Sequence, residues 1–327
     1  MYFKETNLKS SLNSQCFNMQ VLDKIKRFPH PTAVALGNFD GVHIGHARLI
    51  ATLKSFGLES VVYTFKKHPQ NVIFGEGSVL TVNTNFEKAK ILDSLGIDTL
   101  VFDDFTRVRN MSPAEFVDDV IVGTLSAKAV VCGYNYRFGK GGEGDAKLLS
   151  HLLEEKGIHL TVIDEVTLDG VPVSSTAVRQ ALARGDMESA ARLLGRPYFI
   201  DSTVVHGKAL GRQLGFPTVN ETFESGRFVL PYGVYFARCI IDGKKQFRAV
   251  VNVGVRPTVN STDKVPTVEA HIIDFSGDLY GMDVRVEFMK KCRDEQKFDS
   301  LDALKAQIEK DIKNCREYFD GKEKTNN

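Results

Sequence analysis

Along the first half of the chain, short apolar runs alternate with segments in which apolar residues recur every three or four positions. TAVALG (32–37), SVVYTF (60–65), TLVFDDF (99–105), AKAVVCGY (127–134) and HLTVIDEV (159–166) have the length and β-branched content of buried strands. Between them ARLIATLKSFG, FEKAKILDSLG, PAEFVDDVIVGTL and AKLLSHLLEEKG carry helical spacing. Ser112-Pro113-Ala114-Glu115 supplies an N-cap, a first-turn proline and a capping-box glutamate, and Gly57, Gly96 and Gly157 stand where helices end. The alternation predicts an α/β domain with a parallel sheet covered on both faces, TAVALG being its first strand and ARLIATLKSF its first helix.

After about residue 166 the pattern changes. VSSTAVRQALARG and MESAARLLG read as two helices, the second capped by Asp186. FIDSTVVHG, GVYFARCIIDG, KQFRAVVNVGV, TVEAHIIDF and DVRVEFMKK then follow as strands, and DFSGDLYG (274–281) reads as a hairpin connection. Strands without intervening helices predict a small antiparallel β-barrel. SLDALKAQIEKDIKNCREYF puts Leu301, Leu304, Ile308, Ile312 and Cys315 on one stripe, an amphipathic helix packing on that barrel. The expected organisation is a first domain over 19–185, a linker over 186–198 and a second domain over 199–320, after a polar, loosely ordered start to about residue 18.

Composition narrows the function classes. A chain of 327 residues exceeds one ordinary domain, and 43% hydrophobic with 25% charged residues is a globular balance. A net charge of +1 with no concentrated basic face argues against a nucleic-acid partner. Five well-separated cysteines, none in a CxxC pair, argue against a disulfide framework and fit a reducing cytoplasm. No apolar run approaches the ~20 residues of a membrane span, and the N-terminus lacks a signal-peptide core. The expectation is a cytoplasmic protein with no membrane or nucleic-acid partner; its oligomeric state stays open.

Candidate chemistry clusters in four stretches. GNFDGVHIGH (37–46) falls at the carboxyl end of a strand and opens a helix, where ligands of parallel sheets bind and free N–H groups attract phosphate. Gly37, Asn38, Phe39 and Asp40 shape its turn and are expected to line the nucleotide, His43 and His46 share a face, and Gly45 leaves room for a nucleotide near the backbone. Alone, HxxH also fits a surface turn or a metal-ligand pair. Ser174, Ser175 and Thr176 offer hydroxyls at a helix start with Arg179 one turn on, though by itself such a segment is also a good N-cap. In HGKALGRQLGFPTVN, Gly207, Lys208, Gly211 and Arg212 can wrap a phosphate, but no Walker loop is present and spacing alone reads as a mobile loop. Glu269 and His271 share one strand face, opposite Val268 and Ala270, read here as facing the barrel.

GNFDGVHIGH resembles the HxGH signature of nucleotidyltransferases and, in its longer form GxFDGVHxGH, the adenylyltransferase half of the bifunctional bacterial riboflavin kinase/FAD synthetase family. GFPTVN (215–220) is similar to the GFPTAN hallmark of that family's kinase half, with Val219 for Ala. The resemblance implies a Rossmann-like nucleotidyltransferase domain followed by a riboflavin kinase β-barrel with a C-terminal helix. It also implies that His43, His46, Arg179 and the Ser174–Thr176 hydroxyls grip ATP phosphates, while in GYNYRFG Asn135 touches flavin and Phe138 builds an apolar wall. Thr218 and Asn220 would hold Mg²⁺ and ATP phosphates, Glu269 would be the kinase's catalytic base, and Arg293 in KKCRDEQKF would meet the FMN phosphate. TFKKHP (64–69) is similar to the family's TFxPHP, with Lys67 in place of Pro. The implied reactions phosphorylate riboflavin to FMN and adenylylate FMN to FAD, with ATP as co-substrate and Mg²⁺ as cofactor. Two alternatives stand beside this: an enzyme with only one half working, and a flavin-binding regulator without catalysis.

Overall fold

The structure, a computed structural model, describes residues 17–204, 218–223, 225–255, 266–277, 279 and 281–325. The chain divides into two compact units between Ser175 and Thr176. The first unit holds a six-stranded sheet of β1 (Gln20–Leu22), β2 (Thr32–Leu36), β3 (Glu59–Phe65), β4 (Thr99–Asp103), β5 (Ala127–Gly133) and β6 (His159–Ile163). All pairings are parallel, in the order β1-β4-β3-β2-β5-β6. The expected strands are all present. TAVAL is nevertheless the second strand, because the three-residue β1 adds an edge strand against β4 and is too short to show a period. Every residue of β2 and β4 is buried, as a sheet covered on both faces requires.

Helices α1 (Ile44–Lys54), α2 (Pro69–Phe74), α3 (Asn85–Ser94), α4 (Phe105–Val108), α5 (Pro113–Glu115) and α6 (Ala146–Glu154) connect these strands. The capping box at Ser112–Glu115 forms as expected. PAEFVDDVIVGTL departs from a regular α-helix, since α5 runs straight into a π-helix over Phe116–Val122. The wider turn seats Phe116, Val117, Val120 and Ile121 together in the core. Gly123 closes it with an N–H···O bond of 2.8 Å to Asp118, where an added Cβ would lie 2.9 Å from that same oxygen.

Strand order reverses beside β2: β3 and β4 extend to one side, β5 and β6 to the other. Such a switch point leaves a crevice outside the carboxyl ends of the strands. The turn after β2 and the loop after β5 both leave from that edge.

A short β7–β8 hairpin (Thr167–Leu168, Val171–Pro172) precedes α7 (Ser175–Ala183), and α8 (Met187–Leu194) is capped by Asp186 as expected. The second unit carries an antiparallel half-barrel with a C-terminal helix. Its strands are β9 (Tyr198–Thr203), β10 (Thr218–Thr222), β11 (Gly233–Ile241), β12 (Lys245–Val255), β13 (Pro266–Ile272) and β14 (Asp283–Arg293), in the order β10-β13-β12-β11-β14-β9. The segment 274–281 is therefore not a hairpin: β13 lies between β10 and β12, whereas β14 lies between β11 and β9. TVN, read as part of a loop, begins β10. The C-terminal helix α9 (Leu301–Thr325) seats Ile312, Cys315, Tyr318 and Phe319 on Val234, Phe236 and Val250. Leu301, placed on the packing stripe by its spacing, is 70% exposed because the helix contacts the sheet only further along.

Candidate active sites

The GNFDGVHIGH turn is built on a tightly constrained backbone. Phe39 (φ 48°), Gly41 (φ 78°) and Val42 (φ 41°) are all left-handed, a conformation that non-glycine residues hold only when their surroundings enforce it. Burial enforces it here, since Phe39 and Val42 are sealed in the core. Asp40, 2% exposed, points inward, and its Oδ1 accepts the Val82 N–H at 2.8 Å. Its carbonyl accepts the Ser175 hydroxyl at 2.9 Å. The Asn38 carbonyl accepts from Thr64 Oγ1 at 3.0 Å and from Lys88 Nζ at 2.9 Å.

His43 is the N-cap of α1, its Nδ1 accepting the His46 N–H at 3.3 Å. That bond requires an unprotonated Nδ1 and leaves any ring proton on Nε2. The two imidazoles stack, with centroids 3.7 Å apart and planes 18° from parallel, and Phe39 backs His46 at 5.0 Å. The i, i+3 spacing does bring the histidines onto one face. Gly45 serves a different purpose from the one its sequence position suggests: an added Cβ would sit 3.1 Å from His43 Nδ1 and 3.2 Å from its Cε1. The space is filled by the imidazole. Gly37 is likewise covered by the Phe39 ring at 3.2 Å.

In the loop after β5, Phe138 is buried, stacked on Tyr136 (5.9 Å, 9°) and packed on Phe116 at 5.7 Å. Gly144 lies under its ring, where a Cβ would come within 2.6 Å. Asn135 is exposed at the loop's head. Sequence reasoning missed a polar trio whose tyrosine packs on Phe116. Tyr63 donates to Asp103 Oδ2 at 2.5 Å, and Arg107 pairs with the same carboxylate. Burial and the Asp103 charge hold the Tyr63 phenol well above its ordinary pKa, so it stays a donor. Its signal in the sequence was the ionisable DD closing the apolar run TLVFDD. His68 caps α2 through Nδ1, and Lys67 pairs with Glu76 at 2.6 Å on the surface.

Within the second unit, Arg179 Nη2 lies 3.4 Å from Thr176 Oγ1 on α7, and Thr176 is exposed. The backbone register of β10 sets Thr218 opposite His271 and Asn220 opposite Glu269. On its other side Glu269 pairs with Asn252 of β12. Val268 and Ala270 turn to the buried face, so Glu269 and His271 stand on the opposite, half-exposed face instead of facing the barrel interior. Glu295 arrives at this face, its Oε1 lying 2.1 Å from where a Cβ on Gly254 would stand. A side chain at 254 would require that carboxylate to move aside.

Arg293 is held by the C-terminal helix. Its Nε and Nη2 hold Asp311 of α9 at 3.1 and 2.8 Å, and Gln307 donates to the same carboxylate at 2.8 Å. Gly207, Lys208, Gly211 and Arg212 lie outside the described residues, as do the side chains of Thr218 and Asn220. Among the described residues, no three His, Cys, Asp or Glu side chains gather as a metal cluster, and no helix is long and apolar enough to cross a membrane.

Comparison with known proteins assigns the two halves separately. The family model described as FAD synthetase matches residues 25–177, and that described as riboflavin kinase matches residues 194–319. The bifunctional riboflavin kinase/FMN adenylyltransferase of Bacillus subtilis is 35% identical over 90% of this chain and 95% of its own length. Its Escherichia coli counterpart is 38% identical over 88% and 92%. A Streptococcus pneumoniae crystal structure, described as that of a macrolide-efflux protein, superposes with a TM-score of 0.80 at 29% identity, over 91% of this chain and 99% of its own. By identity sustained through both units, the chain belongs to the bifunctional riboflavin kinase/FMN adenylyltransferase family.

Proposed function

We propose that the chain makes FAD from riboflavin in two ATP-dependent steps, one in each half. The kinase half transfers the terminal phosphoryl of ATP to the riboflavin alcohol, giving FMN and ADP. In the adenylyltransferase half, an FMN phosphate oxygen then attacks the α-phosphorus of a second ATP, giving FAD and pyrophosphate. The observation that carries the second step is the stacked His43–His46 pair at the N-terminus of α1, on a rigid turn at the sheet's switch point. A phosphate nucleophile is already ionised at neutral pH, so no strong base is needed. The helix N-terminus and imidazole N–H donors stabilise charge as it builds on phosphorus and on the leaving pyrophosphate. Asp40 and Gly45 act beneath the ligand, holding the turn and the His43 ring. Gly37, Asn38 and Phe39 complete the turn. Roles for Ser174, Ser175, Thr176 and Arg179 on phosphates, and for Asn135 and Phe138 on flavin, rest on the family motifs.

In the kinase half, Glu269 stands in register between Asn220 and Asn252 and takes the proton of the flavin alcohol. Thr218 and Asn220 are hard oxygen donors on one strand, a donor set that fits Mg²⁺ better than a softer metal. Thr218 and Asn220 would hold that ion, which neutralises ATP phosphate charge when bound. Gly207, Lys208, Gly211 and Arg212 are assigned to the same nucleotide by motif. Arg293 is assigned to the flavin phosphate by motif, with Asp311 orienting its guanidinium. The domain limits expected from the sequence, 19–185 and 199–320 with 186–198 between, are kept in this reading, so that Thr176 and Arg179 count with the adenylyltransferase half although the compact units divide before Thr176. The thiols of Cys132, Cys239, Cys292 and Cys315 are unbridged, consistent with a cytoplasmic setting.

The test is a chromatographic time course of the full chain with riboflavin and MgATP. FMN should rise first and FAD follow. A chain with one working half would stop at FMN, or would form FAD only from added FMN. A regulator would consume no ATP.

A further inference from the structure

Lys88 lies on α3, outside every motif that drew attention in the sequence, yet it is only 7% exposed. Buried lysines are rare and carry a desolvation penalty, so the position calls for an account. Its ammonium donates to the Asn38 carbonyl at 2.9 Å and lies 5.8 Å from the centroid of the Phe102 ring. Asn38 is the first residue after Gly37 in the turn that carries the histidines, and left-handed Phe39 follows directly. The same carbonyl is also held by the Thr64 hydroxyl, so the lysine is not needed to satisfy it. What the lysine adds is a buried positive charge held against the backbone of the turn that carries the histidines. Asp40, whose carboxylate acts on it electrostatically, belongs to that turn as well.

We propose that Lys88 is a positioning residue for adenylyl transfer: it fixes the Asn38 carbonyl from below and supplies a buried cation that draws the ATP phosphates onto the turn. The assignment rests on the reading of that turn as the adenylyltransferase site. Burial pushes the ammonium down to about 8, with the Asp40 charge opposing the shift, so the cation persists at neutral pH. A group kept in the core at such a penalty, while its hydrogen-bonding task is duplicated, is kept for its charge.

The experiment measures FAD formation from FMN and MgATP by the full chain, with KM for each substrate and the thermal transition of the same samples. Lys88→Met should lower kcat/KM for ATP at least tenfold and leave KM for FMN within twofold. Riboflavin phosphorylation should be unchanged and the melting temperature no lower than the parent's. Lys88→Arg, which keeps the charge and the donors, should recover at least half of the loss on a logarithmic scale. ATP kinetics within twofold of the parent in Lys88→Met, Lys88→Arg no better than Lys88→Met, or a melting temperature that falls along with activity would each overturn the proposal. A parent chain that forms no FAD would overturn both the proposal and the reading of the turn; an active parent with an unaltered Met variant overturns the proposal alone.

Discussion

Replacing Gly45 with alanine separates chemistry from stability at the histidine turn. Gly45 lies in the first turn of α1, where alanine is favoured over glycine by about 1 kcal/mol. Against this, the new methyl would stand 3.1 Å from His43 Nδ1 and 3.2 Å from Cε1, a few tenths of an ångström too close. The ring is confined by burial at 7% exposure and by the His46 ring at 3.7 Å, so it must tilt and loosen its N-cap bond. Loss of such a cap costs about 1 kcal/mol, roughly cancelling the propensity gain. Stability is thus expected to stay within about 1 kcal/mol, a shift of a few degrees in a domain of this size. Catalysis has no such compensation. Displacing a group that must meet a transition state by a fraction of an ångström to an ångström costs on the order of tenfold to a hundredfold. Thermal melts paired with FAD formation from FMN and MgATP make the test. Wild-type FAD formation at an unchanged melting temperature would show that the His43 ring does not need this placement, and the reasoning would fail.

Three further outcomes follow from particular residues. Lys88 is lowered to about 8 in the folded chain from an ordinary 10.5, so between those values the unfolded chain holds a proton that the folded one has lost. Stability contributed through this group therefore rises with pH across that window, by about 3 kcal/mol in all, and Lys88→Met should abolish the rise in denaturant titrations compared with the parent. Arg293→Met leaves Asp311, 2% exposed, without its cation; a loss of about 3–5 kcal/mol is expected in the second unit's unfolding transition, and a loss under 1 kcal/mol would refute the clamp. Gly254→Ala puts a methyl where the Glu295 carboxylate lies and should slow riboflavin phosphorylation with FMN adenylylation unaffected; equal loss of both activities would contradict the assignment of that face.

Much of this was legible because periodicity reports burial. TAVALG and TLVFDDF read as buried strands since both faces of the sheet are covered, and the helix caps at Ser112 and Asp186 announced themselves in their own side chains. The chain was least readable where tertiary structure sets local form. β1 pairs with β4 at the sheet edge and has too few residues for a pattern, and the π-helix at Phe116 answers to core packing rather than to helical spacing. The 274–281 turn looks like a hairpin because its residues favour turns, but sheet order is decided by pairings far along the chain. In the same way the histidine turn declared its chemistry, whereas the groups that hold it (Thr64, Val82, Lys88) come from separate elements and leave no local trace. Gly45 was read as room for a ligand; only three dimensions show that a neighbouring side chain occupies that room. Arg293 was legible as a functional arginine but not as the partner of Asp311, eighteen residues on across a helix boundary.

The central claim is that the two halves carry separate reactions, with His46 serving the second. Incubating His46→Ala with riboflavin and MgATP, and following flavins by chromatography, tests it most directly. FMN should accumulate at the parent's rate while FAD formation falls by at least a hundredfold. FAD appearing at the parent's rate would contradict the account.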